Sequence, residues 1–347
     1  MKWLLSRILA GLAAVLVVAA GAAVLLAAQY SGTPAPWAAS TGHDAAWLGG
    51  PWAAQDVDSD EYATLASRVE RGGISELYVY VGEIGADGTL APEGYAEAER
   101  FLRRVGEELP DVRVLGWMNF TGDGSSLVED RFDREQRAAV AAAAGAVRDA
   151  GFDGVHLAVS PVTTNDPSLP RLMGEVREAI GDDALLSVQA QHVELVPGAR
   201  VPSFVFSGRE KYWSKGYLAR VAGPADIVVL PGHGSGMPVS SLYGGFMVRQ
   251  VTQALGALDG PEAQRDGEDA VAVRFGAPVF EDEAWGEPSG GESVATATEA
   301  VRIGLTDHGR RDDVGMAVYL LDDADEQAWD AFLTGWVDVA DEADRAD

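Results

Sequence analysis

Two hydrophobic patterns take turns along this chain. Short, uninterrupted apolar runs alternate with longer segments in which apolar residues return at helical spacing. The runs Ala45–Leu48, Leu77–Val81, Val112–Met118, Val155–Val159, Leu185–Ala190, Ile227–Leu230, Val271–Val279 and Val314–Leu320 read as strands. The segments after them read as helices: Asp58–Gly72, Tyr95–Leu109, Asp133–Ala150, Ser168–Ile180, a short one near Tyr217–Val221, Ser240–Leu258, Ser293–Thr306 and Asp325–Val337. In the first of these, Asp58 or Ser59 is placed to cap the N-terminus. Tyr62, Leu65, Ala66 and Val69 then share one face. Gly72, Pro110, Gly151 and Gly181 mark helix ends.

The strand runs do not alternate apolar with polar residues, which is the pattern of parallel strands covered on both faces. Repeated strand–helix units of this kind predict an α/β fold, a (β/α)8 TIM barrel over residues 43–337, with a ligand site at the C-terminal ends of its strands. An open, doubly wound sheet is the rival architecture. It is disfavoured because no Gly-rich phosphate loop follows any strand.

The region ahead of the barrel has a different pattern. Lys2 and Arg7 precede an uncharged apolar run from Ile8 to Ala28. At about 1.5 Å per residue that run spans a hydrocarbon core of roughly 30 Å. Positive charge before it and an acidic body after it place the N-terminus in the cytoplasm and the barrel outside. Residues 1–28 therefore predict a single-pass signal anchor, a transmembrane helix in the cell membrane. A cleavable signal peptide, which would release a secreted barrel, usually has an apolar region of only about 7–15 residues. Residues 29–42 read as a linker, so that the first forty residues stand outside the fold. Residues 338–347 read as a frayed acidic tail.

Charge narrows the partners. The chain carries 54 acidic against 26 basic residues, a formal net charge of -28, and its lysines are Lys2, Lys211 and Lys215. Such a surface repels phosphate backbones, so no nucleic-acid partner is expected. Adaptation to high salt and a generally acidic secreted protein both fit this charge. The absence of cysteine excludes disulfides, thiolate catalysis, Cys-ligated metals and a lipid-modified N-terminal cysteine.

One segment is more specific. Gly151–Val162 reads GFDGVHLAVSPV, and here the chain resembles family-18 glycoside hydrolases, the chitinase-like barrels. Their fourth strand reads G-F-D-G followed by an alternating D-x-D-x-E ending. The resemblance extends to Ser187–Gln191 (SVQAQ), Ile227–Gly234 (IVVLPGHG), Ser241–Gly245 (SLYGG) and Val314–Trp329. It implies a glycosidase barrel acting without a cofactor on a carbohydrate or cell-envelope partner. In that family the terminal Glu protonates the leaving oxygen, and the Asp before it orients the substrate's own acetamide as nucleophile.

The departures fall on the chemistry. The terminal Glu position is Ser160 and the preceding Asp position is Ala158. A serine hydroxyl is no proton donor near neutral pH, and alanine has no polar atom to orient a substrate. The family's sixth-strand Tyr-Asp is Gly232-His233, its last-strand aromatic aligns with Asp322, and Asp153 alone survives from the fourth-strand set. The resemblance thus implies a catalytically inactive glycan- or partner-binding barrel. An active hydrolase using His156 or Glu83 as proton donor, or a structural envelope protein, are the alternatives.

Candidate ligand-binding residues at the strand exits are Trp47, Glu83, Trp117, His156, Gln189, His233 and Asp322, with Gln191, Trp52 and Trp285 nearby. Aromatic rings at such positions suit the faces of sugars. No metal site is expected. His156 and His233 lack a tight ligand motif, and Glu281, Asp282, Glu283 and Glu287 lack the spacing of a calcium loop. Lys211–Lys215 (KYWSK) is a small basic-aromatic patch, read as a surface loop or a contact for an anionic group.

Overall fold

The computed structural model describes residues 2–121, 132–196, 212–263, 270–279 and 290–340. Lys211, the acidic cluster Glu281–Glu287 with Trp285, and the tail beyond residue 340 lie outside the described residues.

Eight parallel strands close on themselves: β1 (Asp44–Leu48), β2 (Ile74–Glu83), β3 (Arg113–Thr121), β4 (Gly154–Ser160), β5 (Leu185–Gln189), β6 (Ile227–Leu230), β7 (Ala272–Pro278) and β8 (Val314–Tyr319). They pair in chain order, and β8 returns to β1 through Ala45↔Ala317 and Ala46↔Val318. The predicted barrel is therefore the observed one. A separate two-stranded pair, His192–Val193 with Tyr212–Trp213, follows β5.

The helices in chain order are α1 (Lys2–Gln29), α2 (Pro51–Ala54), α3 (Ser59–Arg71), α4 (Ala98–Glu108), α5 (Arg134–Asp149), α6 (Ser168–Ile180), α7 (Lys215–Ala222), α8 (Ser240–Leu258), α9 (Val294–His308) and α10 (Glu326–Phe332). Their starts follow from capping chemistry. The Asp58 carboxylate accepts from the amides of Asp60 and Glu61, and Asp133 and Gln136 form a reciprocal capping box. The α4 helix begins later than the pattern suggests, because Pro92–Tyr95 forms a separate 3-10 turn before it.

Strand alternation divides the core in two. Outward residues such as Leu77, Val79, Val155 and Leu157 pack against the helices. Inward residues, among them Trp47, Tyr78, Leu115, Trp117, Ala158 and Val229, fill the barrel. The barrel also holds a buried ion pair: Arg274 of β7 donates to Glu76 of β2 at 2.6 and 3.2 Å, and the Tyr78 hydroxyl adds a third donor at 2.9 Å.

The N-terminal region departs from expectation. Among the described residues, one helix, α1, carries a stretch, Leu9–Gln29, that is long and apolar enough to cross a membrane. The residues after it do not hang as a linker. Tyr30 hydrogen-bonds Glu299, the Ala35 amide donates to Thr306 Oγ1 at 2.8 Å, Arg302 donates to the Ala38 carbonyl at 2.7 Å, and the Ser40 amide donates to the Trp336 carbonyl at 3.2 Å. Ala38 and Ala39 are buried. The physical reason is composition: residues 29–42 carry no charge, so their apolar groups gain more by covering α9 than by staying in water.

Candidate functional site

The C-terminal ends of the strands form the mouth of the barrel. Register sets its layers. Trp117, His156 and Ser187 lie side by side on β3, β4 and β5; the next inward layer holds Asn119, Ala158 and Gln189.

The lower of these layers is closed. The Trp47 indole N–H donates to His156 Nε2 at 3.2 Å. The imidazole proton therefore sits on Nδ1, which donates to Ser187 Oγ at 2.8 Å. Tyr78 stacks on the same ring, with centroids 4.3 Å apart and planes 14° from parallel. Both His156 and Trp47 are thus interior residues, 0% and 1% exposed, rather than parts of the rim. Burial pushes the His156 pKa down to about 3, so the ring is neutral.

This placement has a stability consequence. An unfolded histidine binds a proton below about pH 6.5, while folded His156 does so only near its depressed value. Stability is therefore lost as pH falls through that window. Between pH 6.5 and 5 the unsubstituted chain is expected to lose about 2 kcal/mol more than His156→Gln, read by urea unfolding at the two pH values. Equal losses would show that His156 does not contribute.

Above this layer the surface opens and turns polar at its edge. Ala158 is nearly covered, Asn119 and Gln189 are half-buried, and Ser160 and Glu83 are exposed. Glu83 is held in place at both oxygens, by the Asn119 amide and by the Thr121 backbone N–H, each at 2.6 Å. Its neighbours fix its position on the rim.

The floor of the mouth is aromatic. Tyr319, the last residue of β8, meets Trp47 edge-on at 5.1 Å and Trp117 at 6.2 Å, and it stacks on His233 at 4.7 Å with planes 20° apart. Tyr80 meets Trp117 edge-on at 5.1 Å. Sequence alignment alone put Asp322 in the place of the last-strand aromatic and passed over Tyr319. The available signal was alternation: Gly315, Ala317 and Tyr319 share the inward parity of β8.

Asp322 has another role. It accepts from the Gly49 amide at 2.9 Å and the Trp52 indole at 3.2 Å, tying the exit of β8 to that of β1. Burial, foremost, raises its pKa. Asp153 lies at the other end of β4, where it accepts from the Val114 amide at 2.8 Å and faces Arg113 at 3.4 Å. It braces strands and does not reach the mouth. Among the described residues, no three His, Asp or Glu side chains converge as metal ligands.

Among the described residues, the buried indole N–H of Trp117 and both amide atoms of Gln191, which follows β5, have no hydrogen-bond partner. Leaving such groups buried and unmatched costs about 1–3 kcal/mol each.

No protein-family model matches the sequence, and no curated protein matches it. Solved structures do match the fold. The spore cortex-lytic enzyme SleL of Bacillus megaterium QM B1551 is 10% identical, with a TM-score of 0.58 over 85% of this chain and 74% of that one. A chitinase from Bacteroides thetaiotaomicron is 12% identical, with a TM-score of 0.55 over 86% and 96%. A family-18 N-acetylglucosaminidase from Paenibacillus barengoltzii is 13% identical, with a TM-score of 0.52 over 84% and 99%. The chain therefore shares the barrel fold of these structures, which is the fold that the fourth-strand resemblance implied.

Proposed function

We propose that this protein is a membrane-anchored, extracytoplasmic barrel that binds glycan at its mouth without hydrolysing it. The observation that carries the binding part is the mouth itself: an aromatic floor of Tyr80, Trp117 and Tyr319 bordered by polar side chains. Flat rings offer a face for sugar C–H groups, and the few polar atoms fix orientation. Glu83, Asn119, Gln189 and His233 supply the polar edge. The non-hydrolytic part rests on β4, whose two inward residues at the mouth, Ala158 and Ser160, offer no acid. His156 does not replace them, because it is buried and neutral one layer below.

The neighbours' names direct the choice of ligand. Chitinases and a spore cortex-lytic enzyme make chitin-type and bacterial-wall oligosaccharides the first to test. The test is calorimetry on the full chain in detergent micelles at low and molar salt, with products analysed afterwards. Saturable binding without cleavage is expected. Tyr319→Ala should weaken it about tenfold or more, a loss of about 1.4 kcal/mol. Cleavage by the unsubstituted chain would overturn the non-hydrolytic reading, and absence of binding at both salts would overturn the glycan reading.

A further inference from the structure

The end of the N-terminal helix is built into the barrel's outer layer. On α8, Gly244 and Gly245 form a notch. A Cβ at Gly245 would lie 1.8 Å from the Leu26 carbonyl oxygen, and one at Gly244 would lie 2.4 Å from the Tyr30 ring. Only glycine lets the two backbones approach this closely. Ala23, Leu26, Ala27 and Tyr30 are half-buried at helical spacing, whereas the described side chains from Leu9 to Ala22 are exposed. Further along, a Cβ at Gly32 would meet Ile303 of α9 at 2.9 Å.

The notch lies at the mouth end. In a (β/α)8 barrel each helix begins where the preceding strand finishes. Tyr243, the neighbour of Gly244, donates its hydroxyl to the Gly232 carbonyl at 2.6 Å, at the exit of β6. Next comes His233, which stacks on Tyr319 of the mouth floor. From Tyr30 the chain then runs along α9 past Glu299, Ile303 and Thr306, away from the mouth. An uncharged apolar helix therefore joins the barrel beside the rim of the candidate site.

We infer that this helix is retained in the mature protein and that its docking on α8 holds the rim of the mouth at the outer membrane surface, so that the site meets glycan lying against the bilayer. The inference rests on the reading of the mouth as a glycan site and of α1 as a membrane span. Removal of α1 as a leader would strip Leu26 and Ala27 from Gly245 and uncover an apolar notch beside the site.

The chain has no cysteine, so single labels report unambiguously. Ser241→Cys marks the exposed mouth end of α8, and Asp312→Cys marks the exposed opposite end of the barrel, before β8. The full chain, with either label, is placed in phosphatidylethanolamine–phosphatidylglycerol vesicles carrying a headgroup-attached quencher. Quenching at position 241 should exceed that at 312 several-fold. Adding Gly245→Leu, or Tyr30→Ala as a milder change, should bring the two towards equality. Peptides from Leu9–Gln29 should be recovered from the membrane-extracted protein. Equal quenching without those changes, or a mature chain beginning after Gln29, would overturn the inference. Glycan binding is read separately by calorimetry in micelles. A protein that shows the quenching difference but no binding has lost only its glycan function; one that binds without the difference has lost only its docking.

Discussion

Arg274→Met is expected to cost the barrel about 3–5 kcal/mol of stability. The cost comes from what is left behind. Glu76 is buried inside the barrel and takes two of its three donors from the Arg274 guanidinium. The same guanidinium also donates to the carbonyls of Val273 and Asp313, at 3.1 and 2.9 Å. Methionine fills much of the space but leaves a desolvated carboxylate with the Tyr78 hydroxyl alone. The pair as a whole need not be stabilising, because both charges were taken out of water to make it. The double variant Arg274→Met with Glu76→Leu should therefore recover most of the loss. Urea unfolding of the unsubstituted chain, both single variants and the double completes the cycle. A single-variant loss below about 1 kcal/mol would mean that water reaches Glu76.

Ala158→Asp combined with Ser160→Glu should raise the glycosidase activity of the barrel. Both positions share the inward parity of β4, and residue 158 lies in register with Asn119 and Gln189, two side chains able to donate to a new carboxylate. Ser160 is exposed at the strand end, so a glutamate there can reach a ligand on the aromatic floor. Proton donation by a placed carboxyl contributes about 10²–10⁴-fold. Turnover of chitin-type oligosaccharides at least about 10² above the unsubstituted chain is the expected reading. Ser160→Glu alone should give less, because nothing would then orient the acetamide. A double variant that binds sugar but stays inert would place the decisive loss elsewhere, with Gly232-His233 the first suspect.

The two residues proposed for replacement show how far a linear reading reaches. Ala158 and Ser160 were identified from motif spacing, and the strand register confirms that they face the same way. Alternation is a local backbone property, so parity on one strand is legible without the rest of the fold. Depth is not. His156 and Trp47 have inward parity, like Ala158, yet both are buried, His156 one layer below Ala158. How high a residue stands depends on the stagger between eight strands, which no single strand encodes. Asp322 was misplaced for a related reason. Its carboxylate is claimed by Gly49 and Trp52, more than 250 residues earlier in the chain, and no spacing rule anticipates such a partner.

The sequence by itself determined the sequence of strands and helices, their capping and the barrel closure, and it places alanine and serine at positions 158 and 160. Each of these follows from periodicity, local hydrogen bonding or residue identity, which are short-range properties. Only the tertiary structure decided that Tyr319 floors the mouth, that His156 is a buried, neutral, doubly bonded ring, and that Glu83 is pinned on the rim by Asn119 and Thr121. It also decided that the supposed linker lies on α9 and that α1 ends in a glycine notch beside the candidate site. These are contacts between segments distant in the chain, set by the packing of the closed barrel and its helical layer, and packing is a property of the whole fold.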